Sequence, residues 1–271
     1  MKVLFVGGGN MASALIGGLT QRGWAGSECS VVEIDEAARG RLSERFGARV
    51  LEALPADLDG QDAIVLAVKP QQLRAIAQAI APLVTGRLVL SIAAGIRTSD
   101  LSRWLGGHTR VVRVMPNTPA LVLAGVSALY AMPGATASDR ELSQSICSAV
   151  GTTLWVEREE LLDSVTAVSG SGPAYVFYFI EALTQAAEEL GLSPDQARLL
   201  ARETFYGSAI LARSSEEEAS VLRARVTSKG GTTERAVRTL DAEDVRRRVV
   251  EAVKQAAVRS RELGDEFGRD S

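Results

Sequence analysis

The feature that most constrains this fold is the glycine-rich segment after the first apolar run of the chain. In "KVLFVGGGNMASAL", Gly7, Gly9 and Ala12 have the spacing G-x-G-x-x-G/A, directly after a predicted strand and before a predicted helix. The first glycine permits a tight turn, the second lets the backbone approach a pyrophosphate, and the small third residue lets helix and strand pack closely. Free amides at the helix N-terminus bind the phosphates. The segment therefore predicts a dinucleotide-binding domain.

The rest of the N-terminal half alternates short apolar runs with longer helical patterns. This alternation predicts a mostly parallel sheet with helices on both faces, which is the doubly wound Rossmann architecture. The predicted strands are "KVLFVG", "CSVVEID", "DAIVLAV", residues 89–92, "RVVRVM", residues 125–132 and a last strand at residues 154–157.

From residue 161 onward, every strongly patterned segment is predicted to be helical. One helix has Pro173 in its first turn and stops at Gly191, and the next has Ser193 as N-cap and Gln196 at the capping-box position. A charged helix from about residue 242 to residue 263 follows, and the end of the chain after it is predicted to be frayed.

These patterns predict an α/β chain with two domains. Residues 1–160 form a Rossmann domain, and residues 161–271 form an all-α domain.

Composition excludes several classes of protein. Of the 271 residues, 46% are hydrophobic and 23% are charged, values typical of a globular protein with a packed core. A net charge of -3 leaves no electrostatic footprint for nucleic acid. Cys29 and Cys147 are too few for a disulfide framework or a zinc site, so no metal is expected. The first apolar run is too short for a signal peptide or a membrane span, and we expect a cytoplasmic protein.

An acid near the end of the second strand is expected to hydrogen-bond a ribose hydroxyl of the cofactor. Glu33 and Asp35 are both candidates, and Asp35 is favoured because it closes the apolar run. Acids at this position favour NAD over NADP, although Arg39 on the following helix is able to receive a 2′-phosphate. The cofactor is therefore NADPH or NADH.

The loops after the third and fourth strands, "AVKPQ" and "SIAAGI", are expected to border the cofactor, because ligands of such sheets bind outside the carboxyl ends of the strands. Lys69 is either a proton donor beside the nicotinamide or, as is commoner for a loop lysine, a ribose contact or a solvated charge. The candidate cofactor-binding residues are Val6, Gly7, Gly8, Gly9, Asn10, Met11, Ala12, Asp35, Ala67, Val68, Lys69, Pro70, Ala93, Ala94 and Gly95.

No side chain in the sequence is an obvious general acid for a carbonyl reduction. The single histidine, His108, lies on a connection before a strand and away from the carboxyl-end loops, so a surface role is expected. A substrate that arrives already protonated, such as an iminium, needs mainly orientation, charge placement and exclusion of water.

The segment "SGSGPAYVFYF" lies between the two predicted domains. Its glycines and serines predict a polar turn before Pro173, which either presents free amides to a ligand or is a plain hinge. The helix that follows has aromatic residues on more than one face, and these predict an interface between subunits. The aromatic residues are Tyr175, Phe177, Tyr178 and Phe179.

The segment "VTSKGGTTERAV" has more hydroxyl groups and free amides than a helix connection needs. Thr232 or Thr233 is expected to cap the helix that starts near Glu234. A cap uses only one hydroxyl, so the remaining groups predict a second anion site.

The chain resembles pyrroline-5-carboxylate reductase over nearly its whole length. The resemblance implies a helical domain that interlocks with a partner to form a homodimer, or a larger homo-oligomer of dimers. It also implies an oxidoreductase of amino-acid biosynthesis that uses NAD(P)H to reduce 1-pyrroline-5-carboxylate to L-proline, the last step of proline biosynthesis. The segments that carry the resemblance are "VGGGNMASALIGGL", "AVKPQ", "SIAAGI", "RVMPNTPA", "AVSGSGPAYVFYFIEAL" and "VTSKGGTTERAV".

The resemblance assigns roles to individual residues. Thr233 is the implied catalytic residue and hydrogen-bonds the imine nitrogen, and Asn117 is an implied polar contact of the cofactor. The implied substrate-binding residues are Ser228, Gly230, Gly231, Thr232, Ser171 and Gly172.

The chain departs from the family pattern at two positions. Lys229 and Ala219 stand where many members have proline, and neither departure changes the hydroxyl groups or glycines of the loop.

Two alternatives remain beside this interpretation. One is a reductase of a related cyclic imine carboxylate, and another is a dinucleotide-sensing module without catalysis. The β-hydroxyacid dehydrogenases combine similar domains but depend on a lysine of the helical domain. After Val156 this chain has only Lys229 and Lys254, and neither lies in a matching motif.

Overall fold

A computed structural model describes residues 1–269 and contains one eight-stranded sheet. The spatial order is β3-β2-β1-β4-β5-β6-β7-β8, and every neighbouring pair is parallel except β6 with β7. This is the predicted doubly wound sheet. Its strands are β1 (Val3–Val6), β2 (Cys29–Val32), β3 (Arg49–Leu51), β4 (Ala63–Leu66), β5 (Leu88–Ser91), β6 (Val111–Met115), β7 (Gly125–Ala131) and β8 (Gly151–Trp155).

Eleven α-helices accompany the sheet within the same residues. They are α1 (Asn10–Gln21), α2 (Glu36–Phe46), α3 (Pro70–Ile80), α4 (Thr98–Trp104), α5 (Ala137–Ser148), α6 (Leu161–Val165), α7 (Gly172–Glu189), α8 (Pro194–Ser214), α9 (Ala219–Arg225), α10 (Thr232–Ala242) and α11 (Val245–Gly268). No helix in the described part of the chain is both long enough and apolar enough to cross a membrane.

The central strands are buried on both faces of the sheet. Successive side chains of a strand point to opposite sides of the sheet, so one strand contributes to the core on each face. Phe5 belongs to one apolar cluster with residues of α1 and α5, whereas its neighbour Leu4 belongs to a second cluster with residues of α3 and α4. Each face therefore has its own core, which explains why the strands have continuous apolar runs.

Two features of the sheet were not predicted. The short strand β3 was missed because three residues, Arg49–Leu51, are too few to form a recognisable pattern. The last strand begins at Gly151, before the predicted start at residue 154.

The predicted turn in "SGSGPA" is wrong. Residues Thr166–Gly170 form a π-helical turn that continues α6, and Ser171 donates its amide to the carbonyl of Thr166 at 2.8 Å. Only Ser171, which forms a bend, separates this turn from α7, which begins at Gly172. A π-helical turn inside a helix is uncommon and often marks a functional site.

The predicted fraying after residue 263 is also wrong for the described residues. Helix α11 continues to Gly268, and both Ser260 and Gly264 are buried. Part of this predicted frayed end, residues 270–271, lies outside the described residues.

The chain divides into two compact units, one formed by Met1–Ser171 with Ala256–Ser271 and the other by Gly172–Gln255. We call these the sheet unit and the helical unit. The sequence placed a single boundary after residue 160, whereas the compact units change at Ser171 and again inside α11.

The predicted cap of α8 is confirmed, since Gln196 donates its amide to Ser193 Oγ at 3.3 Å and its Oε1 accepts from the Ser193 amide at 3.0 Å.

The helical unit has few buried residues and many exposed apolar ones. No residue of α7 is buried, and Phe177 and Tyr178 are 59% and 69% exposed. Such an apolar surface is characteristic of an interface with another protein chain.

Candidate active site

The first glycine loop, Gly7–Ala12, joins β1 to α1. Gly7 has a φ of +99°, and a side chain there would lie 2.7 Å from the carbonyl oxygen of Ala67. Gly9 is the N-cap of α1 and has no side-chain cap, while a Cβ atom there would have no neighbour within 4 Å. The turn is therefore closed on the side of the sheet and open at the helix N-terminus, where first-turn amides lack intrahelical partners. This geometry fits a dinucleotide pyrophosphate.

Two open cavities border the first glycine loop and bring most of the predicted cofactor residues together. The larger has a volume of about 760 Å³, and its lining includes Gly8, Gly9, Asn10, Glu33 and Asp35. The smaller has a volume of about 580 Å³, and its lining includes Val6, Gly7, Gly8, Gly9, Glu33, Ala67, Val68 and Lys69. Glu33 lines both cavities although it was the less favoured acid.

The two acids after β2 have different hydrogen-bond partners. Asp35 is the N-cap of α2, and its Oδ1 accepts from the Ala38 amide at 2.7 Å. Glu33 Oε2 accepts from the Gly8 amide at 2.8 Å. Asp35 therefore caps α2, while Glu33 contacts the first glycine loop.

The loop after β5 contains the predicted cofactor residues Ala93, Ala94 and Gly95. Gly95 is buried with a φ of +74°, and a Cβ atom there would lie 3.1 Å from the ring of Phe267. Phe267 belongs to the C-terminal end of α11, which the sequence did not connect to this loop.

Further polar contacts hold this end of α11 against the rest of the sheet unit. Arg97 donates to Asp265 Oδ1 at 2.5 Å, and Ser260 donates to Asp163 Oδ1 at 2.7 Å. The C-terminal end of α11 thus contributes to the shape of a predicted cofactor loop.

Asn117, a predicted cofactor contact, uses both ends of its amide for the backbone. Its Oδ1 accepts from the Val126 amide at 2.9 Å, and its Nδ2 donates to the carbonyl of Ser169 at 3.2 Å. Asn117 therefore joins the "RVMPNTPA" segment to the π-helical turn. A Cβ atom on Gly170 in that turn would lie 2.6 Å from the methyl group of Met115, so the two segments pack closely.

Glu159 is a half-buried partner of Arg113 that sequence reasoning did not single out. Its Oε1 accepts from Arg113 Nη1 at 2.9 Å and from the Thr98 amide at 2.7 Å, and its Oε2 accepts from Thr98 Oγ1 at 2.5 Å. The side chain of Arg113 is only 5% exposed, and the ion pair compensates its burial. The contacts fix the start of α4 to β6.

His108 is half-buried before β6, and its Nε2 lies 2.9 Å from the carbonyl of Arg87. Burial lowers its pKa. It lines neither cavity beside the first glycine loop.

The second glycine loop, Val226–Thr233, joins α9 to α10 in the helical unit. Gly230 has a φ of +74°, and Gly231 is the N-cap of α10 without a side-chain cap. The prediction that Thr232 or Thr233 caps this helix is therefore wrong, because both lie in its first turn. The Gly230 amide donates to Glu234 Oε2 at 2.6 Å.

The second glycine loop presents hydroxyl groups that have no hydrogen-bond partner in the described part of the chain. Within residues 1–269, the side chains of Ser228, Thr232 and Thr233 make no hydrogen bond, whereas Thr227 Oγ1 donates to the Arg223 carbonyl at 2.6 Å. First-turn amides of α10 lie beside these hydroxyls. The loop therefore offers several hydrogen-bond donors to a small anion.

Two family models match the chain. One, described as pyrroline-5-carboxylate reductase dimerisation, matches residues 159–263, and the other, described as NADP oxidoreductase coenzyme F420-dependent, matches residues 2–95. The dimerisation model therefore covers the second glycine loop, and the oxidoreductase model covers the first glycine loop.

Individual proteins match over nearly the full length. The pyrroline-5-carboxylate reductase of Pseudomonas aeruginosa is 43% identical over 269 residues, which cover 99% of this chain and 98% of the relative. The solved pyrroline-5-carboxylate reductase of Coxiella burnetii is 36% identical with a TM-score of 0.92, covering 97% of this chain and 98% of that one. The Plasmodium falciparum pyrroline carboxylate reductase with NADP bound is 28% identical with a TM-score of 0.85, at the same coverage.

Proposed function

The chain belongs to the pyrroline-5-carboxylate reductase family, and we propose which residues carry out its reaction, the NAD(P)H-dependent reduction of 1-pyrroline-5-carboxylate to L-proline. The single observation that carries the assignment of residues is the unused hydroxyls of the second glycine loop. The side chains of Ser228, Thr232 and Thr233 form no hydrogen bond within residues 1–269, and all three residues lie at a helix N-terminus. A small imine carboxylate is a ligand of matching chemistry.

The substrate carboxylate is held by donors of the second glycine loop. Ser228 and Thr232 donate hydroxyl hydrogen bonds, and the amides near Gly231 add backbone donors with the positive end of the helix dipole. Gly230 serves mainly to turn the backbone, since its own amide already donates to Glu234. Ser171 and Gly172, which follow the π-helical turn, complete the set of substrate contacts.

Thr233 interacts with the ring nitrogen. The substrate is reduced as its iminium, whose N–H donates to Thr233 Oγ1 and stays on nitrogen in the product. No strong protein acid is then required, which suits a chain whose single histidine is used elsewhere. The hydroxyl orients the C=N bond, and orientation accounts for a large part of such catalysis.

The dinucleotide is held by the first glycine loop and the segments around it. Amides at the N-terminus of α1 bind the pyrophosphate, and Ala67–Pro70, Ala93–Gly95 and Asn117 form the walls of the site. When bound, the nicotinamide supplies the hydride that the imine carbon accepts. Lys69 is exposed at the N-cap of α3 and serves as a contact of the cofactor and not as an acid.

The protein works as a homodimer, or as a larger homo-oligomer of dimers, through its helical residues. Residues 161–271 act as the substrate-binding and dimerisation domain, and residues 1–160 act as the dinucleotide-binding domain. The exposed aromatic residues of α7 support this, as does the match of residues 159–263 to a dimerisation family. A cytoplasmic location is consistent with Cys29 and Cys147, two buried free thiols whose pKa values are raised by burial to about 11 and about 12.

The test is a turnover assay with purified protein, 1-pyrroline-5-carboxylate and either NADH or NADPH. Nucleotide oxidation should be accompanied by an equal amount of L-proline. If the protein oxidises neither nucleotide, it is not a reductase of this substrate. A faster rate with a six-membered or sulfur-containing cyclic imine would identify that imine as the substrate.

A further inference from the structure

Glu33 is fixed over the first glycine loop. The residue follows β2 directly, and its amide donates to the Leu51 carbonyl at 2.9 Å, so its backbone remains in the sheet. Its Oε2 accepts from the Gly8 amide at 2.8 Å. Its Oε1 accepts from the Asp35 amide at 2.9 Å. Two backbone donors therefore hold this half-buried carboxylate where both cavities of the loop meet.

Two charged groups that follow Glu33 along the chain, Asp35 and Arg39, already have hydrogen-bond partners. Asp35 caps α2 through the Ala38 amide at 2.7 Å. Arg39, which was expected to be able to receive a 2′-phosphate, donates from Nη1 to the carbonyls of Glu33 and Ile34 at 2.9 and 2.8 Å. Its side chain is only 19% exposed. Arg39 therefore holds in place the backbone that carries Glu33, while its Nη2 lies 4.0 Å from Glu52 Oε2.

We propose that Glu33 is the residue that selects NADH over NADPH in this enzyme, by accepting hydrogen bonds from the adenosine ribose hydroxyls. The proposal rests on the proposed function to the extent that a nicotinamide dinucleotide binds at the first glycine loop. An ionised carboxylate is an acceptor only, and the ribose of NADH offers hydroxyl donors. The 2′-phosphate of NADPH removes a donor and adds about 1.5 to 2 negative charges.

Repulsion is the larger part of this selection. Like charges brought together without a compensating partner disfavour binding strongly, so the same carboxylate both accepts one nucleotide and rejects the other. Two cations of α2, Arg41 and Arg45, also line the larger cavity, and Arg45 lies over the ring of Phe46 at 5.1 Å. They reduce the repulsion in part, which is why the test compares both nucleotides on the same variants.

The experiment measures equilibrium dissociation constants for NADH and NADPH by fluorescence titration of the full-length protein without imine. Wild type should bind NADH at least about tenfold more tightly than NADPH. In Glu33→Gln the ratio should fall to near one, because the charge is lost while an amide oxygen remains as acceptor. Glu36→Gln removes an exposed acid in the first turn of α2 and should leave the ratio unchanged.

Asp35→Asn keeps an N-cap residue and tests the rival acid. Tighter binding of NADPH by wild type, an unchanged ratio in Glu33→Gln, or a larger change in Asp35→Asn would overturn the proposal, as would the binding of neither nucleotide. If Glu33→Gln does not fold, Glu33→Ala takes its place with the same expected loss of selectivity. Tight NADH binding without imine reduction would support this proposal while removing the proposed function.

Discussion

The two glycine loops of this molecule are built on one local plan and differ in what surrounds them. Each contains a glycine that is the N-cap of the following helix and has no side-chain cap, Gly9 in the first loop and Gly231 in the second. In each, the amide of the residue before that cap donates to a glutamate, which is Glu33 at 2.8 Å in the first loop and Glu234 at 2.6 Å in the second. Each also contains a glycine with positive φ.

The surroundings of these positive-φ glycines are different. A Cβ atom on Gly7 would lie 2.7 Å from a backbone oxygen of the sheet unit, whereas one on Gly230 would have no neighbour within 4 Å. The first loop is therefore shaped by the sheet against which it packs. The second contains local hydrogen bonds, such as the Gly231 amide to the Ser228 carbonyl at 3.0 Å, and has open space around Gly230. We expect substitutions in the first loop to affect folding and those in the second to affect imine binding.

Gly7→Ala should have the largest effect on stability. The added methyl group combines an unfavourable φ with an overlap on the Ala67 carbonyl, and together these lower the free energy of unfolding by about 3 kcal/mol. Urea denaturation followed by circular dichroism measures this. Gly40→Ala is the matched control, since Gly40 lies within α2 with no atom within 4 Å of its Cβ position. A loss below that of Gly230→Ala would contradict the comparison.

Gly230→Ala should have a smaller effect on stability and a clear effect on the substrate. Only the backbone conformation is unfavourable, so the free energy of unfolding falls by about 1 kcal/mol. The KM for 1-pyrroline-5-carboxylate should rise while the dissociation constant of the nucleotide stays constant. Gly207→Ala in α8 provides the control, because that position also has open space around it. Weaker nucleotide binding with an unchanged KM would be the opposite of what the comparison requires.

Glu234→Gln tests whether the Glu234 carboxylate weakens binding of the substrate carboxylate at the second glycine loop. The amide oxygen of glutamine still accepts from the Gly230 amide, but the negative charge next to the substrate carboxylate is lost. We expect the KM for the imine to fall by about threefold. Glu243→Gln, at the other end of α10, should not change it. An increased KM would show that the charge is needed to hold the loop.

Lys229→Ala should have the smallest effect. Lys229 is exposed, and its charge attracts the anionic substrate only through solvent. The KM should rise by about twofold at low ionic strength, and the difference should disappear at about 0.5 M salt. Lys254→Ala serves as the control for net charge. A difference that persists at high salt would point to direct contact of Lys229 with the substrate.

The parts of the fold that depend on local pattern were predictable. The alternation of apolar strands and helices indicated the doubly wound sheet, and the residues around Ser193 indicated the cap of α8. The direction of individual side chains was not predictable. Nothing in "EID" shows that Asp35 caps a helix while Glu33 reaches Gly8, because this depends on where the chain turns after β2.

Long-range packing was equally hidden from the sequence. The contact of Phe267 with Gly95 joins residues that are far apart in the sequence, and no periodicity reports it. The π-helical turn at Thr166–Gly170 was interpreted as a loop because glycine and serine usually favour turns. Packing of Gly170 against Met115 and the Asn117 bond to Ser169 help keep the segment helical instead.

We propose that the second glycine loop acts on the imine and that the first acts on the nucleotide. Thr233→Ala with Thr233→Ser as control tests it most directly, by measuring kcat/KM for 1-pyrroline-5-carboxylate together with the dissociation constant of NADH. The alanine variant should lose about 100-fold in kcat/KM. The serine variant should retain most of the activity, and both should bind NADH as wild type does. An alanine variant with unchanged kcat/KM, or with weakened NADH binding as its main defect, would contradict the account.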